Sequence, residues 1–102
     1  MDTRAPSGET VRERLEGERA ATDWRSLKPH HERGALFLVS GGVELLDAAV
    51  AIAEDDSAAV AGWLAQGALA RPTDDEADRW TEEPDATFEF LIVQPYVVAV
   101  RV

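Results

Sequence analysis

Ala35-Leu36-Phe37-Leu38-Val39-Ser40-Gly41-Gly42, followed by Val43-Glu44-Leu45-Leu46-Asp47-Ala48-Ala49-Val50-Ala51-Ile52-Ala53, holds the change of period that decides the fold. The first five residues form a short apolar run closed by a Ser-Gly-Gly turn, which reads as a buried strand. Leu45, Leu46, Ala49, Val50, Ile52 and Ala53 then recur at helical spacing and give the clearest amphipathic helix in the chain. A buried strand feeding directly into such a helix places the chain among proteins of mixed α and β structure.

Toward the C-terminus, Glu54-Asp55-Asp56-Ser57 breaks this helix and offers capping oxygens to the next one, Ser57–Gln66. There Val60, Trp63 and Leu64 share a face, and Gly67 ends the element. Ala68–Arg71 reads as a short strand stopped by Pro72. Thr73 and Glu76 form a capping box for a helix over Asp74–Glu82, with Ala77 and Trp80 inward and Pro84 closing it. The segments Phe88–Val93 and Tyr96–Val102 are rich in β-branched and aromatic residues and read as strands, with Phe88, Phe90 and Ile92 on one face. Pro95 between them either turns a hairpin or kinks an edge strand.

Toward the N-terminus, Gly34 is the expected cap of a short helix ending at Arg33, and Trp24 and Leu27 share a face of the helical turn Asp23–Leu27 before it. Pro29 fits the first turn of that short helix. Thr10 and Glu13 form a second capping box, predicting a surface helix over Val11–Ala21 with a thin stripe of Val11 and Leu15. Residues 1–8 read as a flexible tail and 9–102 as a single α+β domain. The expected architecture is a small mixed sheet covered by helices, with a helix-turn-helix-like pair in the middle.

The 102 residues suit one domain. With no cysteine in the chain, disulfides, thiolate metal sites and a cysteine nucleophile are excluded. Residues 1–34 contain no apolar run long enough for a signal-peptide core, and no stretch is long enough to span a bilayer, so the expected location is cytoplasmic. The net charge of −10 is unevenly placed. Residues 1–33 carry seven basic and seven acidic side chains, whereas residues 34–102 carry three basic and thirteen acidic ones. Such a field repels nucleic acid and anionic membranes and favours cationic partners.

Few residues offer chemistry. His30-His31-Glu32 is the one histidine cluster, but adjacent histidines on a helix point about 100° apart, whereas helical metal sites place ligands at i and i+3 or i+4. Glu54-Asp55-Asp56 and Asp74-Asp75-Glu76 with Asp78 do not match an EF-hand loop and stand where helix starts are expected, so capping explains them first. Trp24, Trp63 and Trp80 read as core anchors. Gly41-Gly42 lacks the Lys-Ser or Lys-Thr of a phosphate loop, and no serine sits in a nucleophile elbow. No catalytic, cofactor-binding or metal-binding residue is assigned.

The outline of Leu45–Arg71 is that of a helix-turn-helix followed by a wing strand, yet Ser57–Gln66 contains no Arg, Lys or Asn to meet phosphates and base edges. Tyr96–Val102 is apolar on both faces. Either it lies at an edge and pairs with a second copy in a homodimer, or it is internal and paired on both sides.

The ordered set Trp24-x-x-Leu27, Arg33-Gly34-Ala35, Phe37–Val39, Leu46, Ala53-Glu54-Asp55-Asp56, Val60-x-x-Trp63-Leu64, Gly67, Thr73-Asp74, Trp80 and Val93-x-Pro95-Tyr96-Val97 resembles a small bacterial family, domain of unknown function 2288. The resemblance covers most of Leu15–Ala99. His30-His31 and Tyr96 depart from the family pattern, which has more apolar residues at the first place and usually Trp at the second. The resemblance implies no activity, substrate or cofactor. The sequence therefore favours a small acidic interaction or regulatory module without catalysis, with an unknown and cationic protein partner. The alternatives are a metal-dependent binding protein or small enzyme using carboxylates or His30 and His31, and a degenerate helix-turn-helix domain that does not bind DNA.

Overall fold

The strands Phe88–Val93 and Tyr96–Val102 are apolar at nearly every position, which is the pattern of strands covered on both faces. The computed structural model, which describes residues 10–83 and 85–102, bears this out. The tail expected over Met1–Gly8 and the stop at Pro84 lie outside the described residues. The elements in chain order are α1 (Val11–Glu18), β1 (Ala20–Asp23), α2 (Trp24–Glu32), β2 (Leu36–Val39), α3 (Leu45–Ala53), α4 (Ser57–Gln66), β3 (Leu69–Ala70), α5 (Asp74–Thr81), β4 (Thr87–Val93) and β5 (Tyr96–Arg101). The five strands form one mixed sheet in the order β1-β4-β5-β2-β3. β2 and β5 are parallel; the other neighbours are antiparallel.

Alternation along each strand sends side chains to two separate cores. Leu91, Val93, Val98 and Val39 meet Leu15 of α1 and Leu45, Leu46, Ala48 and Ala49 of α3. On the opposite face Phe88, Val97, Ala99 and Leu36 meet Trp24 and Leu27 of α2 and Ala77 and Trp80 of α5. The second core is aromatic: the Trp24 ring lies 5.1 Å from Trp80 and 5.9 Å from Phe88, and Trp80 meets Phe88 edge-on at 5.2 Å. The Trp24 indole donates to Thr81 Oγ1 at 3.2 Å, so its buried N–H is satisfied.

Three expectations are corrected. The first helix stops at Glu18, because Ala20–Asp23 pairs with β4 in the register Ala20↔Phe90 to Asp23↔Thr87. An open sheet edge overrides the helical preference of Ala20 and Ala21. Second, Pro29 does not divide α2, which runs unbroken from Trp24 to Glu32. Arg25 and Pro29 are both exposed, so the carbonyl that the missing N–H leaves unbonded lies on the solvent side of the helix. The side chain of Asp23 caps this helix by accepting from Ser26 N at 3.0 Å. Third, of the two places left open for Tyr96–Val102, the internal one holds and the edge does not. β5 is bonded to β4 from Tyr96 to Arg101 and to β2 through Val97–Ala99, so it offers no open row for a homodimer.

Candidate functional site

Apolar residues that the fold leaves in water mark surfaces where something else is to be covered. α4 is the clearest case. Its ten residues, Ser-Ala-Ala-Val-Ala-Gly-Trp-Leu-Ala-Gln, contain no charged side chain, and none of them is buried. Trp63, expected as a core anchor, is only half-buried, packed with Val60 on the outside of the α1/α3 core. Leu64 is 47% exposed. Trp24 and Trp80 are buried as expected.

Beside α4 opens a groove of about 280 Å³. Phe37 and Tyr96 from the sheet, Ile52 from α3, and Val60 and Leu64 from α4 form its walls, and Asp55 and Asp56 line it from the turn joining the two helices. Phe37 and Tyr96 meet edge-on at 5.6 Å, and the Arg71 guanidinium lies over the Phe37 ring at 5.6 Å. Tyr96 is 38% exposed. Ile92, also exposed, points from the opposite face of the sheet and stands apart from this patch.

The turn is built by local hydrogen bonding. Asp56 accepts from Ala59 N at 3.2 Å and so caps α4. Asp55 N donates to the Ile52 carbonyl, and Asp56 N to the Ala51 carbonyl, closing the end of α3. This geometry holds Asp55 at φ 57°. The carboxylate of Asp55 has no hydrogen bond or ion pair with another described residue, unlike that of Asp56.

A larger cleft of about 410 Å³ lies between α2 and α5, lined by Asp23, Trp24, Arg25, Lys28, Trp80, Thr81 and Glu83. Some of its polar groups are engaged: Asp23 caps α2, and the indole N–H of Trp24 is bound to Thr81, whereas Arg25 and Lys28 have no side-chain partner among the described residues. The hydrogen bond from Ser26 N, supported by the Ser26 hydroxyl, holds the Asp23 carboxyl below the usual aspartate range. Opposite charges are mixed along its walls, which gives it no clear ligand chemistry.

The histidines part company. His30 Nδ1 lies 2.6 Å from an Arg33 nitrogen and serves as its acceptor, while His31 packs 5.7 Å from Trp24. Among the described residues no three His, Asp or Glu side chains stand together as a metal-binding group. Asp74, Asp75 and Glu76 occupy the first turn of α5; Glu76 N donates to Thr73 Oγ1 at 3.1 Å, and Thr73 N to Glu76 Oε1 at 2.9 Å. This is the expected capping box. Among the described residues no helix is long and apolar enough to cross a membrane.

The missing charge of α4 is plain in the sequence but its exposure is not, and the acidic run makes Asp55 look like an ordinary capping residue. One signal pointed to Asp55: α3 ends with no glycine after Ala53, where the ends of α2 and α4 carry Gly34 and Gly67.

The comparisons agree with this architecture. The chain is 35% identical to the protein in the NMR solution structure of PA1075 from Pseudomonas aeruginosa, with a TM-score of 0.75 over 94% of this chain and 90% of that one. No curated protein matches it. The family model described as "Protein of unknown function (DUF2288)" matches residues 10–101, and the chain belongs to that family.

Proposed function

We propose that this chain is a cytoplasmic protein-interaction module without catalysis, and that it works through α4 and the groove beside it. One observation carries the reading: α4 has no charged side chain in a chain that is 29% charged, yet none of its residues is buried. A helix apolar on all sides belongs inside a protein or against a partner. The cysteine-free sequence fits a cytoplasmic setting.

A photo-crosslinking residue placed at Ala61, and at Asp78 of α5 for comparison, tests this in the cell of origin. Discrete adducts are expected from Ala61, lost on Leu64→Asp, with none from Asp78. Equal labelling from both positions, or adducts indifferent to Leu64→Asp, would refute the reading. The denaturation midpoint of Leu64→Asp is expected to stay within about 0.5 kcal/mol of wild type, as for other exposed sites.

A second reading, a helix-turn-helix domain that has lost DNA binding, draws support from the α3–α4 pair followed by β3. The exposed face of α4, including Ala58, Ala61, Leu64 and Ala65, offers no cation to phosphates, and its donors are limited to Ser57 and Gln66 at its ends. Anisotropy with labelled duplex at low salt is expected to show no salt-sensitive binding tighter than about 1 μM.

A further inference from the structure

We infer that the groove beside α4 receives a cationic segment of another protein, with an apolar anchor between Ile52, Val60, Leu64 and Tyr96 and a Lys or Arg against Asp55. This rests on the reading of α4 as a binding surface and names the chemistry of the partner. Size supports a side-chain anchor: about 280 Å³ falls just below the roughly 300–1,000 Å³ of small-molecule pockets. Charge selects the partner. Asp55 and Asp56 are among the lining residues, and residues 34–102 carry thirteen acidic against three basic side chains. A second copy would bring the same surplus, and like-charge contact opposes association.

Asp55 adds a separate line of argument. α2, α3 and α4 all close with the same pair of backbone bonds: Gly34 N to His31 O and Ala35 N to His30 O; Asp55 N to Ile52 O and Asp56 N to Ala51 O; Gly67 N to Leu64 O and Ala68 N to Trp63 O. The residue held in the left-handed region is Gly34 at φ 73° and Gly67 at φ 74°, but Asp55 at φ 57°. An aspartate there is less comfortable than glycine. Its carboxylate makes no bond within the described structure to offset this. An aspartate held in a glycine position at an apolar groove, with no side-chain partner among the described residues, suits a cationic ligand.

The probe is a fluorescein-labelled, twelve-residue amphipathic Leu/Lys helix, compared with a Leu/Glu version and with a scrambled Leu/Lys sequence. Binding is followed by anisotropy and mapped by amide chemical shifts on the full chain. The Leu/Lys helix is expected to shift α4, Asp55 and Tyr96, with at least tenfold weaker binding for the scrambled peptide and for Leu64→Asp. Asp55→Gly is expected to weaken binding roughly two- to fivefold and to flatten its salt dependence. The same variant is expected to melt roughly 2–6 °C higher, which separates lost binding from lost folding. Binding of the Leu/Glu helix at α4 with equal strength would overturn the cationic assignment and leave the interaction module standing. Peptide shifts confined to α5, unaffected by Leu64→Asp, would overturn both. Sedimentation of a wild-type dimer that Leu64→Asp dissolves would replace the partner by a second copy and overturn the inference.

Discussion

Replacing Trp24 by alanine is expected to cost about 3–5 kcal/mol, and replacing Trp63 somewhat less, about 2–4 kcal/mol. Trp24 is 2% exposed and touches Trp80, Phe88 and His31. A buried indole removes about 200 Å² from water, worth about 5 kcal/mol as an upper figure at about 25 cal/mol per Å². The large-to-small series for Trp brackets the net loss at about 3–5 kcal/mol. Trp63 keeps a minority of its surface in water, and the roughly two-thirds or more that is buried is worth about 3–4 kcal/mol as an upper figure. Against a domain stability of about 5–15 kcal/mol, Trp24→Ala removes a large part of the total and Trp63→Ala a smaller part. Urea melts followed by far-UV circular dichroism measure both, since removing an indole changes the fluorescence signal itself. A Trp24→Ala loss below about 1.5 kcal/mol, or a Trp63→Ala loss clearly larger than it, would refute the assignment of the aromatic core to the α2/α5 face.

Thr81→Val removes the acceptor of the Trp24 indole N–H and is expected to lower stability by about 1–2 kcal/mol in the same melts, with Thr81→Ser close to wild type. Asp23 has a folded pKa below its unfolded value, so its contribution is present above the unfolded pKa near 3.9 and is lost as pH falls through the folded one; Asp23→Asn is expected to remove that part of the acid dependence. A carboxyl chemical-shift titration of Asp23 with a midpoint at or above that of free aspartate would contradict the cap. Amide exchange is expected to be slowest in β5, bonded on both sides, and fastest among the strands in the edge strands β1 and β3; β5 amides exchanging as fast as those of β1 would contradict the strand order.

Much of this fold is legible from period and punctuation. α3 and α4 have the expected bounds because the apolar spacing of Leu45–Ala53, the capping Asp56 and the terminal Gly67 act locally. β5 reads as internal once its two apolar faces are taken at their word, since Val97 and Ala99 meet one core and Val98 the other. β1 is not legible, because Ala20-Ala21-Thr22-Asp23 has no strand preference of its own and is held by the free edge of β4. The site is half legible. A stripe of Val60, Trp63 and Leu64 says which residues share a face, but Ala58, Ala61 and Ala65 around it give no polar side to tell inside from outside. Only the tertiary position of α4, outside α3, leaves Leu64 in water. Asp55 hides because an acidic run after a helix is the usual sign of capping, and its left-handed backbone depends on how α3 is stopped.

The two cores also predict how perturbations combine. Leu27 belongs to the aromatic face and Trp63 to the periphery of the aliphatic one, with the sheet between them. Residues without shared partners on opposite sides of a sheet couple weakly, within about 0.3–0.5 kcal/mol. Leu27→Ala, expected to cost about 2–5 kcal/mol, and Trp63→Ala are therefore expected to add in the double variant. Ile52 packs on the same side as Trp63, so Ile52→Ala with Trp63→Ala is expected to depart from additivity by about 0.5 kcal/mol or more. Urea melts of the two cycles decide it. Coupling above about 1 kcal/mol between Leu27 and Trp63 would mean that strain crosses the sheet. A ligand on α4 would then reach the aromatic core. Additivity instead keeps events on α4 away from the aromatic core, so that a partner on this solvent-facing apolar helix acts on one side of the sheet alone.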